Sequence, residues 1–589
     1  MVVELPKRDV AIIGMGWTGS IIAKEMLDAG LSVVGLERGP YRDTVPDFQA
    51  PAMHDELRYH ARYGLMMEPR EQTLTFRNSI DQTALPYRRL GSFLPGKGLG
   101  GAGIHWNGQT YRFLPYDFEL RTASLERYGP DILGDELTVQ DWPLSYDDLE
   151  PYYDFFEKIC GISGQAGHVR GEIFPGGNPF EGPRSDGYPT PPLKQSYAES
   201  MFEAAAKTVG AHPFRVPAAN LSEAYVNPYG LQLHPCTYCG YCQRFGCGYM
   251  AKSTPQMCVL PMVEGRPGFE LRTESWVQRV EMHEDGRTAR GVTYVTPDGE
   301  TYFQPADIVF VASFSLWNAL MLLLSRIGEP YDPRTGEGQV GKNYTYQTMT
   351  SVTAFFDQEH RFNPWAGAGA LGTVVDDWNG DNFDHSGLGF IHGGYIATYI
   401  TGGRPMMYQP MPEGTPAWGT AWKRGLVEGY NHAFGLTMHG ASMAARTNYL
   451  GLDPTYRDMF GNPLLQMTYD FPENDRRMAA YVTDRAAEIA RAMNPKSIKV
   501  GGLSDHYSVV PYQTTHNCGG TIMGANPADS VTNRYGQVWG VHNVFVTGAS
   551  LFPQNSGYNP TDTVGALAYW AAKGIQDQYL PNPGPMVDA

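Results

Sequence analysis

Asp9-Val-Ala-Ile-Ile-Gly-Met-Gly-Trp-Thr-Gly-Ser20 is the stretch whose reading decides the fold. The apolar run Val10 to Ile13 has the length and composition of a buried parallel strand. It leads straight into Gly14-x-Gly16-x-x-Gly19 and then an amphipathic segment through Ile21, Ile22, Met26 and Leu27. Each glycine has a physical task. Gly14 permits a tight turn, Gly16 lets the backbone approach a pyrophosphate, and Gly19 lets helix and strand pack closely. The helix N-terminus offers unpaired N–H groups and positive dipole to phosphates. A second strand, Leu31 to Leu36, ends on Glu37, whose carboxylate can accept both hydroxyls of an adenosine ribose. Strand, glycine motif, helix, strand and acid in this order predict a Rossmann-like dinucleotide-binding unit. Whether the dinucleotide carries nicotinamide or flavin stays open on this stretch.

Working outward, 589 residues exceed a single hydrophobic core, so two or more domains interleaved in sequence are expected. The formal charge of −17 argues against nucleic acid and anionic lipid surfaces as partners. The longest apolar run, Ile308 to Leu324, is interrupted by Ser313, Ser315 and Asn318, and no transmembrane span is expected. The first strand is read near residue 9, so no signal peptide is expected. Arg88-Arg89 and Arg476-Arg477 precede no apolar segment, so export would be carried by a partner.

From Tyr59 to Pro86 the periodicity is too weak to place elements. Gly91 to Asn107 is too glycine-dense for a helix or strand interior, and the embedded Ile104-His105-Trp106 points to a backbone cradle rather than a linker. Ser145, with Asp148 three residues on, predicts a capped helix through Tyr152, Phe155 and Phe156; another helix is predicted from about Tyr197 to Val209. Phe269 to Val280 and Gly291 to Tyr302 read as strands around the turn Glu284-Asp-Gly286, and Ala306 to Ala312 as a separate buried strand followed by a helix from Leu316 to Leu324. Gly336 to Met467, rich in Gly, Asn, Tyr and Trp, suits a large antiparallel sheet lining a cavity, followed by a helix from about Asn474 to Met493. The acidic run Val375 to Asp384 lacks the closing Glu of a calcium loop and reads as a solvated turn.

Four of the seven cysteines fall in Cys236-Thr-Tyr-Cys239-Gly-Tyr-Cys242-Gln-Arg-Phe-Gly-Cys247. This packing is close to a ferredoxin run and unlike the two separated pairs of most zinc sites, so an iron–sulfur cluster is the expectation, with zinc and structural thiols as alternatives. Cys160, Cys258 and Cys518 read as buried small apolar residues. A cluster accepts single electrons while nicotinamide delivers hydride, so a flavin, able to divide the pair, is the better dinucleotide. Near the C-terminus His516 precedes a glycine-rich turn, Asn543 to Ser550 reads as a strand, and Asn559-Pro560 reads as the N-cap and first residue of a helix whose positive end would stabilise an anionic reduced flavin.

The opening motif, Gly98-Leu-Gly100-Gly101, the segment Ala306 to Ser325, and His516 with Asn559 resemble the glucose–methanol–choline oxidoreductase family of FAD enzymes. Within it, the cysteine cluster, Asp141-Trp-Pro143, His516 to Gly524 and the ending Gln578 to Pro585 are similar, over essentially the whole chain, to the large flavoprotein subunits of bacterial gluconate-oxidising dehydrogenases. The resemblance implies an α/β fold, α+β overall, in which the FAD-binding domain (1–130, 261–335, 506–589) interleaves with a substrate domain on a large mainly antiparallel sheet (131–215, 336–505) and an iron–sulfur segment (216–260). It implies His516 as base and Asn559 as its companion in oxidising the C2 hydroxyl of gluconate. FAD contacts would come from Gly14, Gly16, Thr18, Gly19, Glu37, Arg38, Gly98, Gly100, Gly101, His105, Trp106, Asn107, Val277, Ala312, Gly548, Asn559, Pro560 and Thr561. It also implies a small subunit with a twin-arginine signal, a multihaem cytochrome c acceptor, electrons passing on to quinone, and a place on the periplasmic face of the inner membrane. Related glucose and fructose dehydrogenases hold a three-iron cluster on three cysteines. Here Cys236 and Cys242 keep that spacing, Cys247 lies one residue further and Cys239 is additional, so 3Fe-4S is expected and 4Fe-4S stays open. Ile104-His105-Trp106 resembles the Thr-His-Trp of pyranose 2-oxidases, which implies an 8α-histidyl FAD link at His105. Two other readings stand beside this one: a dehydrogenase of aldoses or glucosides at C1 or C3, and an electron-transfer or assembly subunit with a vestigial flavin site.

Overall fold

The computed structural model of the chain describes residues 2–48, 64–402 and 409–588. Its first sheet has eight strands. Phe269–Arg272, Val33–Leu36, Arg8–Ile13 and Thr301–Val311 lie side by side in parallel, and Val544–Val546 and Val2–Glu4 also pair in parallel with the last of these. Val10, Ala11 and Ile12 have no solvent exposure, as a strand covered on both faces requires. The helix Trp17–Asp28 lies against them through Ile22, Ala23 and Met26.

The two strands expected between 269 and 302, and the separate one after them, take a different division. At Glu274, φ +53°, the chain breaks Phe269–Val280 into Phe269–Arg272 and Trp276–Met282, because Glu274 N and Ser275 N donate to Gly39 O and Glu37 O at 2.9 Å each. A turn at Asp298-Gly299 ends Ala289–Val295. Beyond it Thr301–Val311 is one continuous strand: Thr301–Pro305 pairs antiparallel with Ala289–Val295, and Ala306–Val311 pairs parallel with Arg8–Ile13. The long strand therefore welds the hairpins to the dinucleotide unit.

The second sheet is antiparallel throughout, in the order Ser497–Gly501, Thr348–Phe355, Ala433–Gly440, Gly394–Tyr399, Gly372–Val375, Phe214–Arg215. Alternation along Ala433–Gly440 gives its two faces different work. Leu436 and Met438 pack under the helices Glu473–Ala492 and Tyr197–Thr208, while Ala433, Gly435, Thr437 and His439 line a cavity that Phe434 also reaches. A third sheet joins Tyr449–Arg457, Pro463–Thr468, Leu74–Arg77 and Leu85–Pro86. The last two come from the stretch Tyr59 to Pro86 that sequence left unplaced; residues 59–63 lie outside the described ones.

The capped helix forms as read. Tyr146–Cys160 starts with Asp148 N donating to Ser145 Oγ at 3.1 Å and Ser145 N to Asp148 Oδ2 at 2.9 Å. It packs on the C-terminal helix Thr561–Gly574, where Gly565 admits the Phe156 ring. The acidic run is solvated only in part: Asp384 is exposed, but Asp376 and Asn379 are fully buried, and Asp376 accepts from Tyr558 Oη and, at 3.0 Å, from Asn178 Nδ2 and Asn379 Nδ2. Burial raises the Asp376 carboxyl to about 6, and the run serves as an internal post beneath Tyr558. Among the described residues no helix is long and apolar enough to cross a membrane.

Candidate active site

A cavity of about 710 Å³ runs between the two large sheets. At one end the strand Arg8–Ile13 turns at Gly14, φ +95°, where a Cβ would stand 2.6 Å from Ala312 O. Gly14, Gly16 and Thr18 line the cavity. Gly19 does not: its Cβ would lie 2.0 Å from Gly14 O, so its absence lets helix and strand touch. Glu37 is held by the adjacent backbone, Oε2 accepting from Met15 N at 3.1 Å and Oε1 from Gly39 N at 2.8 Å, and each oxygen keeps a second lone pair. Arg38 lies with its guanidinium 5.5 Å from the Trp276 ring centre, beside Val277.

The glycine-dense loop folds over this end, with Leu99 N donating to Pro40 O at 3.0 Å and Gly100 N to Met15 O at 2.8 Å. Gly101 comes to the wall opposite Gly16, followed by His105, Trp106 and Asn107. Gly98 and Gly100, expected as contacts, are off the wall. Their φ of +112° and +91° shape the loop, and added Cβ atoms would meet Pro40 O at 2.6 Å and the Gln256 side chain at 2.5 Å.

At the other end His516 and Asn559 meet. His516 Nδ1 is hydrogen-bonded to Gln347 Oε1, and Asn559 Nδ2 lies 3.3 Å from His516 Nε2. Asn559 Nδ2 also donates to Gln109 Oε1 at 2.9 Å, and Tyr395 Oη donates to Asn559 Oδ1 at 2.7 Å. These bonds overturn the reading of Asn559 as a helix N-cap. The helix Thr561–Gly574 begins one residue later than expected, Pro560 O accepting from Val564 N at 2.9 Å, and the Asn559 side chain is committed to the site. Pro560, Thr561, Ala312 and Gly548 complete this part of the wall. Burial lowers the His516 imidazole to about 4, so it is neutral at ordinary pH; burial and the neighbouring His516 lower His439 to about 3.

Several groups here carry no sequence signal. Gln109, Gln347, Tyr395 and His439 come from four separate segments and are ordinary strand or loop residues when read singly. Only the period-2 exposure of His439 toward the cavity, with Ala433, Gly435 and Thr437, was available in advance. Arg244 also lines the cavity, its guanidinium 4.4 Å from the Tyr512 ring centre.

The four clustered cysteines sit beside the cradle. Arg244 N donates to His105 O at 3.1 Å, and the fully buried Lys252 donates to Trp106 O at 2.6 Å and Phe245 O at 2.7 Å, so loop and cradle form one unit. The thiols lie within electrostatic reach of one another; burial first, then their mutual proximity, raises Cys236 and Cys242. N–H groups face the sulfurs: Tyr238 N to Cys236 and Ala251 N to Cys247 at 3.4 Å, Asn220 Nδ2 to Cys242 at 3.6 Å. Among the described residues no three His, Cys, Asp or Glu side chains close into a group able to hold a metal ion. The donor chemistry, thiols with N–H donors and a buried ammonium, is nevertheless of the kind an iron–sulfur centre uses. Cys160, Cys258 and Cys518 are buried, as expected.

The cavity wall fits a flavin dinucleotide. Its pyrophosphate end is glycine backbone, and His105 Nε2, Trp317 Nε1 and Thr547 Oγ1 are buried polar atoms without a hydrogen-bond partner among the described residues, all on residues of the wall. Such atoms are normally satisfied, so they mark where a polar ligand belongs. The family model of GMC oxidoreductase matches residues 444–568. The site and fold are those of a flavin-dependent alcohol oxidoreductase, and the chain belongs to the GMC oxidoreductase family. It is 46% identical over 591 residues to the gluconate 2-dehydrogenase flavoprotein of Pantoea cypripedii, covering 100% of this chain and 96% of that one. The 2-methyl-1,2-propanediol dehydrogenase of Mycolicibacterium austroafricanum is 27% identical, covering 98% and 97%. Among solved structures, pyridoxine 4-oxidase from Mesorbium loti superposes with a TM-score of 0.58 at 16% identity over 97% of this chain and 99% of that one, a likeness of fold.

Proposed function

We propose that this enzyme oxidises the C2 hydroxyl of gluconate to the 2-keto acid. The observation that carries the reading is the pair His516 Nε2 and Asn559 Nδ2, 3.3 Å apart, at the far end of a cavity that begins at the dinucleotide motif. A neutral imidazole takes the hydroxyl proton at Nε2, and the Asn559 amide donates to the same oxygen, holding it as negative charge develops. FAD, when bound, supplies the hydride acceptor and a store for two electrons. Gly14, Gly16, Thr18, Glu37, Arg38 and Val277 would hold its adenosine and pyrophosphate, and Gly101, His105, Trp106, Asn107, Ala312, Gly548, Pro560 and Thr561 the rest. The substrate assignment draws on the whole-chain similarity to a gluconate 2-dehydrogenase flavoprotein and on Arg244, a cation of the wall among the described residues, which would receive the carboxylate.

On the same reading Cys236, Cys239, Cys242 and Cys247 would hold an iron–sulfur cluster, three-iron with four-iron as the variant, which would supply one-electron transfer. The reading adds a small subunit with a twin-arginine signal, a multihaem cytochrome c, quinone as final acceptor, and a periplasmic inner-membrane location. His105 Nε2, without a hydrogen-bond partner among the described residues, would be the atom to carry a covalent 8α link to FAD. The test is anaerobic: gluconate should bleach the flavin band and yield the 2-keto acid, with iron and sulfide present. Bleaching by glucose or a glucoside instead would transfer the reading to C1 or C3 oxidation. Acid precipitation that leaves all the yellow colour in solution would remove the covalent link.

A further inference from the structure

Gln347 stands where the chain leaves the short pairing of Thr345–Tyr346 with Asn517–Cys518 and enters the large sheet at Thr348. It is fully buried and rigidly held: its N donates to His516 O at 3.3 Å, and its O accepts from Thr514 Oγ1 at 3.2 Å. The side-chain amide has one orientation that satisfies its surroundings. One end faces Gly557 O at 2.7 Å and Tyr558 O at 3.0 Å, which only accept, so that end is the NH₂ group. The other end is then the carbonyl oxygen, and it faces two imidazole nitrogens, Nδ1 of His516 and, at 3.2 Å, Nδ1 of His439. A carbonyl oxygen cannot donate, so both nitrogens carry hydrogen. A neutral imidazole has one N–H, so both Nε2 atoms carry the lone pair.

We propose that Gln347 is the positioning residue that sets the base: through one carbonyl it fixes His516 and His439 as Nδ1–H tautomers and leaves the proton-accepting lone pair on both Nε2 atoms, that of His516 facing the Asn559 amide at 3.3 Å. Its NH₂ end at the same time anchors Gly557 and Tyr558, the two residues before Asn559, so a single side chain aligns both halves of the catalytic pair. His439 becomes a second acceptor of hydroxyl hydrogen on the cavity wall, its ring centre 6.2 Å from that of His516 and stacked 5.0 Å from Tyr395. The low basicity that burial gives both rings keeps them neutral, the state in which tautomer choice matters. The inference rests on His516 acting as base, as in the preceding section.

The tautomer is read directly in the wild-type holoenzyme labelled with 15N-histidine, the two rings assigned by loss of signal in His516→Ala and His439→Ala. The expected result at neutral pH is pyrrole-type Nδ1 and pyridine-type Nε2 for both; a proton on His516 Nε2 would overturn the proposal. Kinetically, Gln347→Met should keep its flavin and lower kcat by about tenfold to a thousandfold, with the gluconate KM within about twofold. Gln347→Glu, which puts a carboxylate against Nδ1 and favours the imidazolium, should move the acid limb of kcat/KM upward by a unit or more. Unchanged kcat in the first variant, or an unmoved acid limb in the second, would sink it. His516→Ala separates the two claims. If it keeps activity, the function itself is wrong; if it is dead while Gln347→Met is fully active, only the role of Gln347 falls.

Discussion

The two ends of the cavity are built by opposite means. The dinucleotide end is made of glycine backbone and a few side chains supplied by neighbours in sequence: Gly14, Gly16, Thr18, Glu37 and Arg38 fall within one strand–helix–strand unit, and the loop over it is again mostly glycine. The catalytic end is made of side chains, with Gln109, Gln347, Tyr395, His439, His516 and Asn559 each arriving on a different segment. The first end tolerates no added atoms at Gly14 and Gly19, where a Cβ would stand 2.6 and 2.0 Å from backbone oxygens. The second tolerates no lost atoms, because each polar group there orients another.

Substitutions at the two ends should accordingly fail in different ways. Gly19→Val would place carbon 2.0 Å from Gly14 O, and the expected outcome is protein without flavin, measured as loss of the yellow absorbance. His516→Ala should retain flavin and lose about 10²- to 10⁴-fold in the rate of flavin reduction by substrate, by stopped-flow absorbance. A His516 variant that loses its flavin instead would erase the distinction. Arg244→Gln should raise the gluconate KM by about tenfold to a hundredfold, the value of a hydrogen bond to a charged group, and leave the KM of a neutral sugar unchanged. In the wild type, burial lowers the His516 imidazole, so the base form persists as pH falls and kcat/KM should decline only through about pH 4. An acid limb near the ordinary histidine value would mean that the cavity is wetter than its geometry. The smallest effect lies far from both ends: Ser145→Ala removes the cap of Tyr146–Cys160 and should cost about 0.5–2 kcal/mol in denaturant unfolding with an unaltered flavin spectrum.

The same contrast explains which readings held. The helices Tyr146–Cys160, Tyr197–Thr208, Ser315–Ser325 and Glu473–Ala492 match their sequence signals because capping and period-3.6 burial act within a few residues. The antiparallel sheet beyond Gly336 was readable as a class, though its strand order was not. Errors fell where a side chain had two possible employers. Asn559 is a good cap by residue type, but Tyr395, Gln109 and His516 take its polar atoms. Asp376 looks solvated in an acidic run, but Tyr558, Asn178 and Asn379 draw it inside. Gly98 and Gly100 belong to the cradle loop yet turn it rather than line it.

The sequence by itself determined the dinucleotide unit, the cysteine cluster as a chemical type, the candidate base and the family resemblance, because each is carried by residues close together along the chain or by a whole-chain pattern. Only the tertiary structure decided that Asn559 faces His516, that Gln347 joins His516 to His439, and that Thr301–Val311 runs unbroken through Pro305. Hydrogen-bond partners up to 450 residues apart are chosen by packing, which no local propensity encodes.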